Sequence, residues 1–282
     1  MTSKTASEAI ARLNSESIAL ARRIRVLTAQ MVHRANASHV GGCFSMADLL
    51  AVLHCGILRV RSTEPGWADR DRLVLSKGHA TAVLYATLAE RGFFPVAELE
   101  TYGQDGSRLM AHVSHKVPGI DFSTGSLGHG LPFGLGKALA ARRDRRTWRV
   151  FTILSDGELD EGSNWEAILL APQHRLDNLI AVVDYNKIQS LGSVSEVADL
   201  HPLADKFRAF RWAVREVDGH DHAALRQALD SVPWEPGHPS CLIAHTTKGR
   251  GVDFMQDQLA WHYKSPNPDQ LAEALRQLGC PD

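Results

Sequence analysis

The chain has 282 residues, of which 44% are hydrophobic, and its 31 Lys and Arg nearly balance its 32 Asp and Glu, for a formal net charge of -1. This length suffices for about two domains, or for one large α/β domain with extensions, and buries an ample core. The near-zero net charge argues against a nucleic acid or an acidic membrane surface as the main partner. The N-terminus lacks an apolar signal segment, and no apolar stretch is long enough to span a bilayer. The 4 cysteines show no C-x-x-C spacing, which is typical of reduced thiols in a cytosolic protein. We therefore expect a cytoplasmic protein whose 14 histidines point to chemistry near neutral pH.

Hydrophobic periodicity predicts helices and strands that alternate along the chain. An amphipathic helix is expected over residues 15–35, followed by a second helix capped by Ser45. Apolar runs then predict strands at 72–76, 150–155, 178–184, 212–218 and 240–246, with helices between them. A short helix that begins at a proline ends the chain. Strands that are apolar on both faces and alternate with helices predict an α/β fold, with a parallel sheet covered by helices on both faces.

Polar residues follow two of the predicted strands, at the edge where ligands of parallel sheets bind. Asp156 and Gly157 follow one strand, and Asn186 follows the next, about one βαβ unit later. Each segment alone is an ordinary turn or loop, but this spacing brings both side chains to one edge. A carboxylate, an amide oxygen and a nearby carbonyl form an oxygen half-shell suited to Mg²⁺, which a bound diphosphate would complete. Gly157 begins a helix and permits close approach of that anion.

Several segments of the sequence resemble the N-terminal part of transketolases. The thiamine diphosphate motif of that family is similar to SDGELDEGSNWEA (155–167) followed by LDNLIAVVDYNKIQ (176–189). Further matches, in the family's order, are SKGHA (76–80), TGSLGHGL (124–131) and TTKGRGV (246–252) with Trp261-His262. The resemblance runs from about Ile18 to Tyr263. It implies one thiamine diphosphate-binding domain over 1–282, with an N-terminal helical extension and a short C-terminal helix.

The resemblance also implies a role for each matching residue. The metal, Mg²⁺ or Ca²⁺, would be held by Asp156, Asn186 and the carbonyl of Ile188. The thiamine diphosphate would contact His79, Gly125, Ser126, Leu127, Gly157, Glu161, Asn186, Lys248 and His262. The catalytic histidines would be His39, His79, His112 and His262, of which His39 and His112 would bind the hydroxyls of the donor sugar. Glu166 would lie at a subunit interface. The other histidines are expected to have no special role.

The sequence departs from the family pattern at three places. Ser155 stands where the cofactor motif usually begins with Gly, which is a change between small residues. The sequence reads Ala111-His112-Val113 where the family usually has Gly-His-Pro, and Val-Gly-Gly follows His39. The last two departures lie on the donor side, so the resemblance does not carry the usual sugar phosphate substrates over to this chain.

The resemblance implies a divided enzyme. A full transketolase has two further domains, and little of this chain follows His262. We expect the N-terminal subunit of a split transketolase, which transfers a two-carbon ketol unit from a ketose to an aldose together with a separate C-terminal subunit, as two copies of each. The alternatives are a subunit similar to deoxyxylulose phosphate synthase, one similar to the α subunit of a 2-oxo acid dehydrogenase, or a non-catalytic cofactor-binding scaffold.

Overall fold

The computed structural model describes residues 3–280, with side chains from Glu8 onward. Within this range five strands form one parallel sheet in the order β1-β2-β3-β5-β4. The strands are β1 (Arg72–Leu75), β2 (Val150–Ser155), β3 (Leu179–Tyr185), β4 (Ala213–Asp218) and β5 (Ser240–His245). The predicted α/β fold with a parallel sheet is confirmed.

Helices connect the strands and cover both faces of the sheet. They are α1 (Ser3–Arg34), α2 (Val40–Ser45), α3 (Ala47–Val52), α4 (Thr81–Glu90), α5 (Gly130–Arg143), α6 (Gly162–Gln173), α7 (Val194–Val197), α8 (Leu203–Ala209), α9 (His222–Asp230) and α10 (Pro268–Gln277). Across residues 3–280 no helix combines the length and the apolar character that a membrane crossing needs.

The core has two layers because alternate side chains of each strand point to opposite faces of the sheet. Phe151 and Ile153 of β2 lie in the layer that contains buried residues of α1, α3 and α4. Val150 and Leu154 lie in the other layer, with buried residues of α5, α6 and α8. The central strands β2, β3 and β5 are therefore buried on both faces, which accounts for their continuous apolar sequences.

The register of the sheet determines which strand ends lie together. Ser155 of β2 pairs with Asp184 of β3, and Tyr185 pairs with His245 of β5. The segments that follow these three strands therefore leave the sheet at the same edge, as the spacing of Asp156 and Asn186 predicts.

Two local predictions were wrong. Ser45 does not cap a helix: it ends α2, α3 begins at Ala47, and the Ser45 hydroxyl donates to the carboxylate of Asp184 at 2.6 Å. The strand β4 is not apolar on both faces, since Arg215 and Glu216 are exposed. This strand lies at the edge of the sheet and has one neighbour, β5, so part of its surface faces solvent.

A buried carboxylate holds the amino ends of β1 and β2 together. Asp71, fully buried, accepts from Nη2 of Arg59 at 2.8 Å and from Nη2 of Arg149 at 2.7 Å. The backbone N–H groups of both arginines also donate to it, at 3.0 and 2.8 Å. Burial opposes ionisation, but these hydrogen bonds hold the pKa of Asp71 below its ordinary value of 3.8.

We expect Asp71→Asn to lower the free energy of unfolding by about 2–4 kcal/mol at pH 7, because it leaves two arginines without their buried partner. Since the folded pKa lies below the unfolded one, the ionised carboxylate stabilises the fold above pH 3.8 and loses that contribution as the pH falls through the folded pKa. Chemical denaturation between pH 3 and pH 7 measures both effects.

Asp205→Asn is the control for this variant, because its ion pair with Arg208 is exposed and worth little. Equal stability of the two variants at pH 7 would contradict the role given to Asp71.

Candidate active site

A buried ion pair lies at the centre of the carboxyl edge of the sheet. Lys77, just after β1, pairs with Asp184 near the end of β3, and each side chain is at most 1% exposed. Asp184 also accepts from the hydroxyls of Ser45 at 2.6 Å and Thr246 at 2.5 Å. Burial by itself raises the pKa of Asp184, but the Lys77 ammonium and these hydrogen bonds hold it below the usual value.

The predicted metal ligands lie together beside this ion pair. Asp156 is 1% exposed, and its carboxylate accepts from the backbone N–H of Gly157 at 2.8 Å and of Lys187 at 2.5 Å. The amide oxygen of Asn186 accepts from the N–H of Ile188 at 3.2 Å. The three predicted ligands thus occupy one pair of adjacent loops.

The electrostatics of these loops fit a bound cation. Burial, and then the negative charge of Asp184, raise the pKa of Asp156 to about 6, so a positive charge at this carboxylate would relieve an unfavourable environment. A cation already lies close by, because the Lys248 ammonium donates to the carbonyl of Ile188 at 2.9 Å. Within residues 3–280 no group of three or more His, Cys, Asp or Glu side chains could hold a metal. The predicted set is of another kind, with one carboxylate, one amide and one carbonyl.

The four predicted catalytic histidines form one cluster. The ring centre of His39 lies 5.1 Å from that of His79, 5.0 Å from that of His262 and 6.3 Å from that of His112. His79 and His262 are 5.6 Å apart. These residues come from four distant parts of the chain, so the cluster exists only in the folded protein. The backbone also links two of them, since the N–H of His39 donates to the carbonyl of His262 at 3.0 Å.

Three of these imidazoles are neutral at physiological pH. Burial lowers the pKa of His39 to about 4 and that of His262 to about 3, and it also lowers the pKa of His79. The positive charges of Lys77 and Lys248 act in the same direction. A neutral imidazole has one N–H donor and one acceptor nitrogen, so each ring can both give and receive a hydrogen bond.

Lys248 connects the histidines to the predicted metal ligands. Besides the Ile188 carbonyl, its ammonium contacts Nδ1 of His262 at 3.1 Å. Burial lowers the pKa of Lys248 to about 8, with a further contribution from Lys77, so the amine remains mostly protonated at pH 7 and donates to Nδ1. The proton of the His262 ring then lies on Nε2.

His112 keeps its place in the cluster despite the unusual sequence around it. The buried hydroxyl of Tyr85 donates to the carbonyl of His112 at 3.0 Å and accepts from the N–H of Ser114 at 3.1 Å. Val113, which stands where the family usually has proline, is buried, and its carbonyl accepts from the N–H of Thr124. Hydrogen bonds to Tyr85 and to Thr124 therefore fix the turn that carries His112.

The predicted cofactor residues mostly surround one small cavity. It has a volume of about 80 Å³. Eight of the predicted site residues line it, namely His79, Leu127, Asp156, Gly157, Asn186, Ile188, Lys248 and His262. Gly125 lies outside the cavity against the ring of His112, so close that an added Cβ would be 3.3 Å from Cδ2. Ser126, Glu161 and Glu166 are exposed and do not line this cavity, and Glu166 lies on α6.

Sequence reasoning did not single out Glu158, which organises the loop over residues 124–131. The carboxylate is fully buried, and it accepts from the Ser76 hydroxyl, from the N–H of Gly128 at 2.9 Å and from the N–H of Ser155 at 3.3 Å. Burial raises the pKa of Glu158. The sequence feature that could have identified Glu158 is its position directly after a buried strand, where an acidic side chain does not reach solvent.

Two glycines of the matched motifs are required by close packing. A Cβ on Gly78 would lie 2.6 Å from the carbonyl carbon of Thr124, and one on Gly157 would lie 2.6 Å from Cβ of Gln189. Both positions exclude every other residue unless the backbone moves. Gly157 therefore has a packing role in addition to the diphosphate contact that the sequence predicts.

The sequence matches the family described as transketolase, thiamine diphosphate binding domain, over residues 16–282. It is 41% identical over 256 residues to the 6-deoxy-6-sulfo-D-fructose transketolase subunit of Clostridium sp. (strain MSTE9). The aligned residues are 90% of this chain and 93% of that protein. It is 39% identical over 249 residues to an apulose-4-phosphate transketolase subunit of Phocaeicola vulgatus, with 88% and 89% covered.

Longer transketolases match over part of their length. The crystal structure of the Campylobacter jejuni enzyme aligns with a TM-score of 0.88 at 30% identity, and covers 95% of this chain but 43% of its own. The transketolase of Pongo abelii is 38% identical over 262 residues, which are 91% of this chain and 41% of that protein. This chain thus spans less than half the length of these longer relatives. By sequence and by fold, the chain belongs to the transketolase family and corresponds to its thiamine diphosphate-binding domain.

Proposed function

We propose that this chain is the diphosphate-binding subunit of a transketolase that moves a two-carbon ketol unit from a ketose to an aldose. One observation carries the proposal: the imidazoles of His39, His79, His112 and His262 form a cluster whose neighbouring ring centres are 5.0–6.3 Å apart. The cluster lies on the edge that also presents Asp156 and Asn186. A sugar offers many hydroxyls at close spacing. Neutral imidazoles match them because each ring has both a donor and an acceptor.

The cofactor and metal follow from the other half of the site. Asp156, Asn186 and the Ile188 carbonyl would hold Mg²⁺ or Ca²⁺, since these hard cations prefer oxygen ligands. The N–H of Gly157, which donates to Asp156 in this structure, would donate to the diphosphate when it is bound. When bound, thiamine diphosphate supplies the carbanion chemistry that breaks and forms the carbon–carbon bond.

The residues of this chain would position the sugar and handle its protons. His39 and His112 would hold hydroxyls of the donor. His262 would present Nε2–H toward the reacting end, since Lys248 occupies its Nδ1. Imidazoles placed in this way typically contribute about 10²–10⁴-fold to a proton transfer.

A partner chain would complete the site. Two relatives that match along 93% and 89% of their own length are named transketolase subunits, which supports a separate C-terminal subunit here. We infer two copies of each chain, with Glu166 at a contact between subunits. Among residues 3–280, Cys43, Cys55 and Cys241 are buried free thiols, which supports a cytoplasmic location.

We expect the purified chain alone, supplied with thiamine diphosphate and Mg²⁺, to show negligible ketol transfer, and its C-terminal partner to restore it. The region matched by this chain makes up 43% of the Campylobacter jejuni transketolase chain, so the part of the site that the remainder would build has to come from a partner. The assay measures aldose extension with phosphorylated and sulfonated ketose donors, and pyruvate decarboxylation is the control reaction for the two related enzyme classes.

Robust ketol transfer by the lone chain would contradict the need for a partner. Turnover of pyruvate instead of ketoses by the assembled complex would overturn the proposed reaction, and a complex that binds the cofactor without any turnover would identify a scaffold.

We expect Asp156→Ala to weaken metal-dependent binding of thiamine diphosphate to the assembled complex by at least about 100-fold, more than the roughly 10–100-fold that loss of an outer partner of a metal ligand causes. The variant removes the one carboxylate of the predicted ligand set. Isothermal titration calorimetry with and without Mg²⁺ measures the effect.

Asp160→Ala is the matched control, because Asp160 is exposed and contacts only the side chain of Gln189, at 3.0 Å, among the side-chain hydrogen bonds of the described residues. An affinity of Asp156→Ala equal to that of the control would show that the metal binds elsewhere.

A further inference from the structure

A histidine outside the cofactor cavity contacts the segment that carries Lys248. His220 follows β4, and its Nε2 lies 2.8 Å from the backbone nitrogen of Thr247. Its Nδ1 lies 2.7 Å from the Asp48 carboxylate, 172 residues away in sequence. Nothing in the sequence indicates a special role for His220, and these two contacts are the observations that suggest one.

The two contacts determine the protonation of the His220 ring. A backbone N–H can only donate, so Nε2 of His220 accepts from Thr247 and carries no proton. The single ring proton then lies on Nδ1, where it donates to Asp48. A carboxylate that orients a neutral imidazole through Nδ1 is a common arrangement for holding the opposite ring nitrogen in a required direction.

Asp48 is itself held in place. Arg25 donates to both of its oxygens, at 3.0 and 2.6 Å, and Nε2 of His222 lies 3.1 Å from one of them. Both Asp48 and Arg25 are buried. The Asp48 carboxylate therefore anchors His220 to α1, α3 and the start of α9.

The segment 246–249 connects this anchor to the active site. The Thr246 hydroxyl donates to Asp184 at 2.5 Å, and the Lys248 ammonium reaches the Ile188 carbonyl at 2.9 Å and His262 at 3.1 Å. The Thr247 N–H lies between these residues and faces His220. Backbone hydrogen bonds fix both ends of this segment, because the N–H of Thr246 donates to the carbonyl of Tyr185 at 3.2 Å and that of Gly249 to the carbonyl of Gly41 at 3.0 Å. Loss of the bond to His220 would leave the Thr247 N–H, directly before Lys248, without its acceptor.

We propose that His220, oriented by Asp48, is a positioning residue. It holds residues 246–249 so that the Lys248 ammonium contacts the Ile188 carbonyl and Nδ1 of His262. Its effect on cofactor binding rests on the proposed function, but its effect on the segment does not. Among the described residues, His220 does not line the cofactor cavity, and its ring hydrogen bonds go to Asp48 and Thr247 rather than to a predicted metal ligand.

Two substitutions separate the two contacts of His220. The side-chain amide of Asn places its nitrogen near the position of Nδ1, so His220→Asn keeps a donor toward Asp48 and loses the acceptor for Thr247. The longer side chain of Gln places an oxygen near the position of Nε2, so His220→Gln keeps the acceptor. If the His220 ring only filled space, the two variants would show equal exchange of residues 246–250 and equal affinity for the cofactor.

Hydrogen–deuterium exchange of peptides spanning 246–250 in the full chain tests the proposal directly. We expect exchange to be about tenfold faster in His220→Asn and within about threefold of wild type in His220→Gln, because only the first leaves the Thr247 N–H without an acceptor. Should His220→Asn fail to fold, His220→Ala serves with the same expectation. Equal exchange in wild type and Asn or Ala variant, or equally fast exchange in both amide variants, overturns the proposal.

Calorimetry of thiamine diphosphate with Mg²⁺ on the assembled complex tests the consequence. We expect about tenfold weaker binding in His220→Asn than in His220→Gln. His245→Asn, whose partly exposed ring contacts Glu216, is the control and should bind as wild type does. Equal binding by both His220 variants overturns the link to the cofactor. Absence of binding by wild type overturns the proposed function instead, and leaves the exchange result to decide the role of His220.

Discussion

The ion pair between Lys77 and Asp184 is the contact on which the active site depends. It joins the loop after β1 to the end of β3, and Ser45 and Thr246 attach α2 and the loop after β5 to the same carboxylate. A pair buried this completely gains little net stability over an apolar packing, but removal of one partner strands a charge in the interior. The pair therefore determines where the loops lie more than how stable the sheet is.

The same pair determines the charge of its neighbours. The negative charge of Asp184 adds to burial in raising the pKa of Asp156, and the positive charge of Lys77 adds to burial in lowering the pKa of His39 and His262. One side of the site thus favours a cation, and the other side holds neutral imidazoles. This division fits the proposed function, in which a diphosphate held through a metal would lie beside a sugar that exchanges protons.

Buried polar groups hold the loops of this edge in single positions. Glu158 accepts from three groups that belong to separate segments, and Asp48 accepts from Arg25, His220 and His222. Each network is satisfied by hydrogen bonds, and in a low-dielectric interior a satisfied network is rigid, since the loss of any member leaves an unpaired group. The preorganisation of the site comes from these networks rather than from its apolar core.

The sequence alone was sufficient to predict a parallel sheet and to bring the predicted ligands to one of its edges, but not the exposed surface of the edge strand β4. Apolar runs predicted β2 and β3 within one residue, because the continuous apolar run of a strand buried on both faces is a local property of the sequence. The spacing of Asp156 and Asn186 then placed both at one edge, because parallel strands share their direction. The resemblance to transketolases identified the four histidines, of which His79 and His262 lie in the matched motifs, and their ring centres lie close together in the structure.

Tertiary structure alone decided the partners of the buried polar groups. The sequence shows that Asp184 ends an apolar strand, but not that Lys77, 107 residues away, neutralises it, nor that His220 bridges Asp48 and Thr247. Ser45 has the sequence of a helix cap, yet its hydroxyl bonds to Asp184. The physical reason is that the hydrophobic pattern depends on neighbours along the chain, whereas a buried charge or donor takes the partner that packing brings within about 3 Å of it.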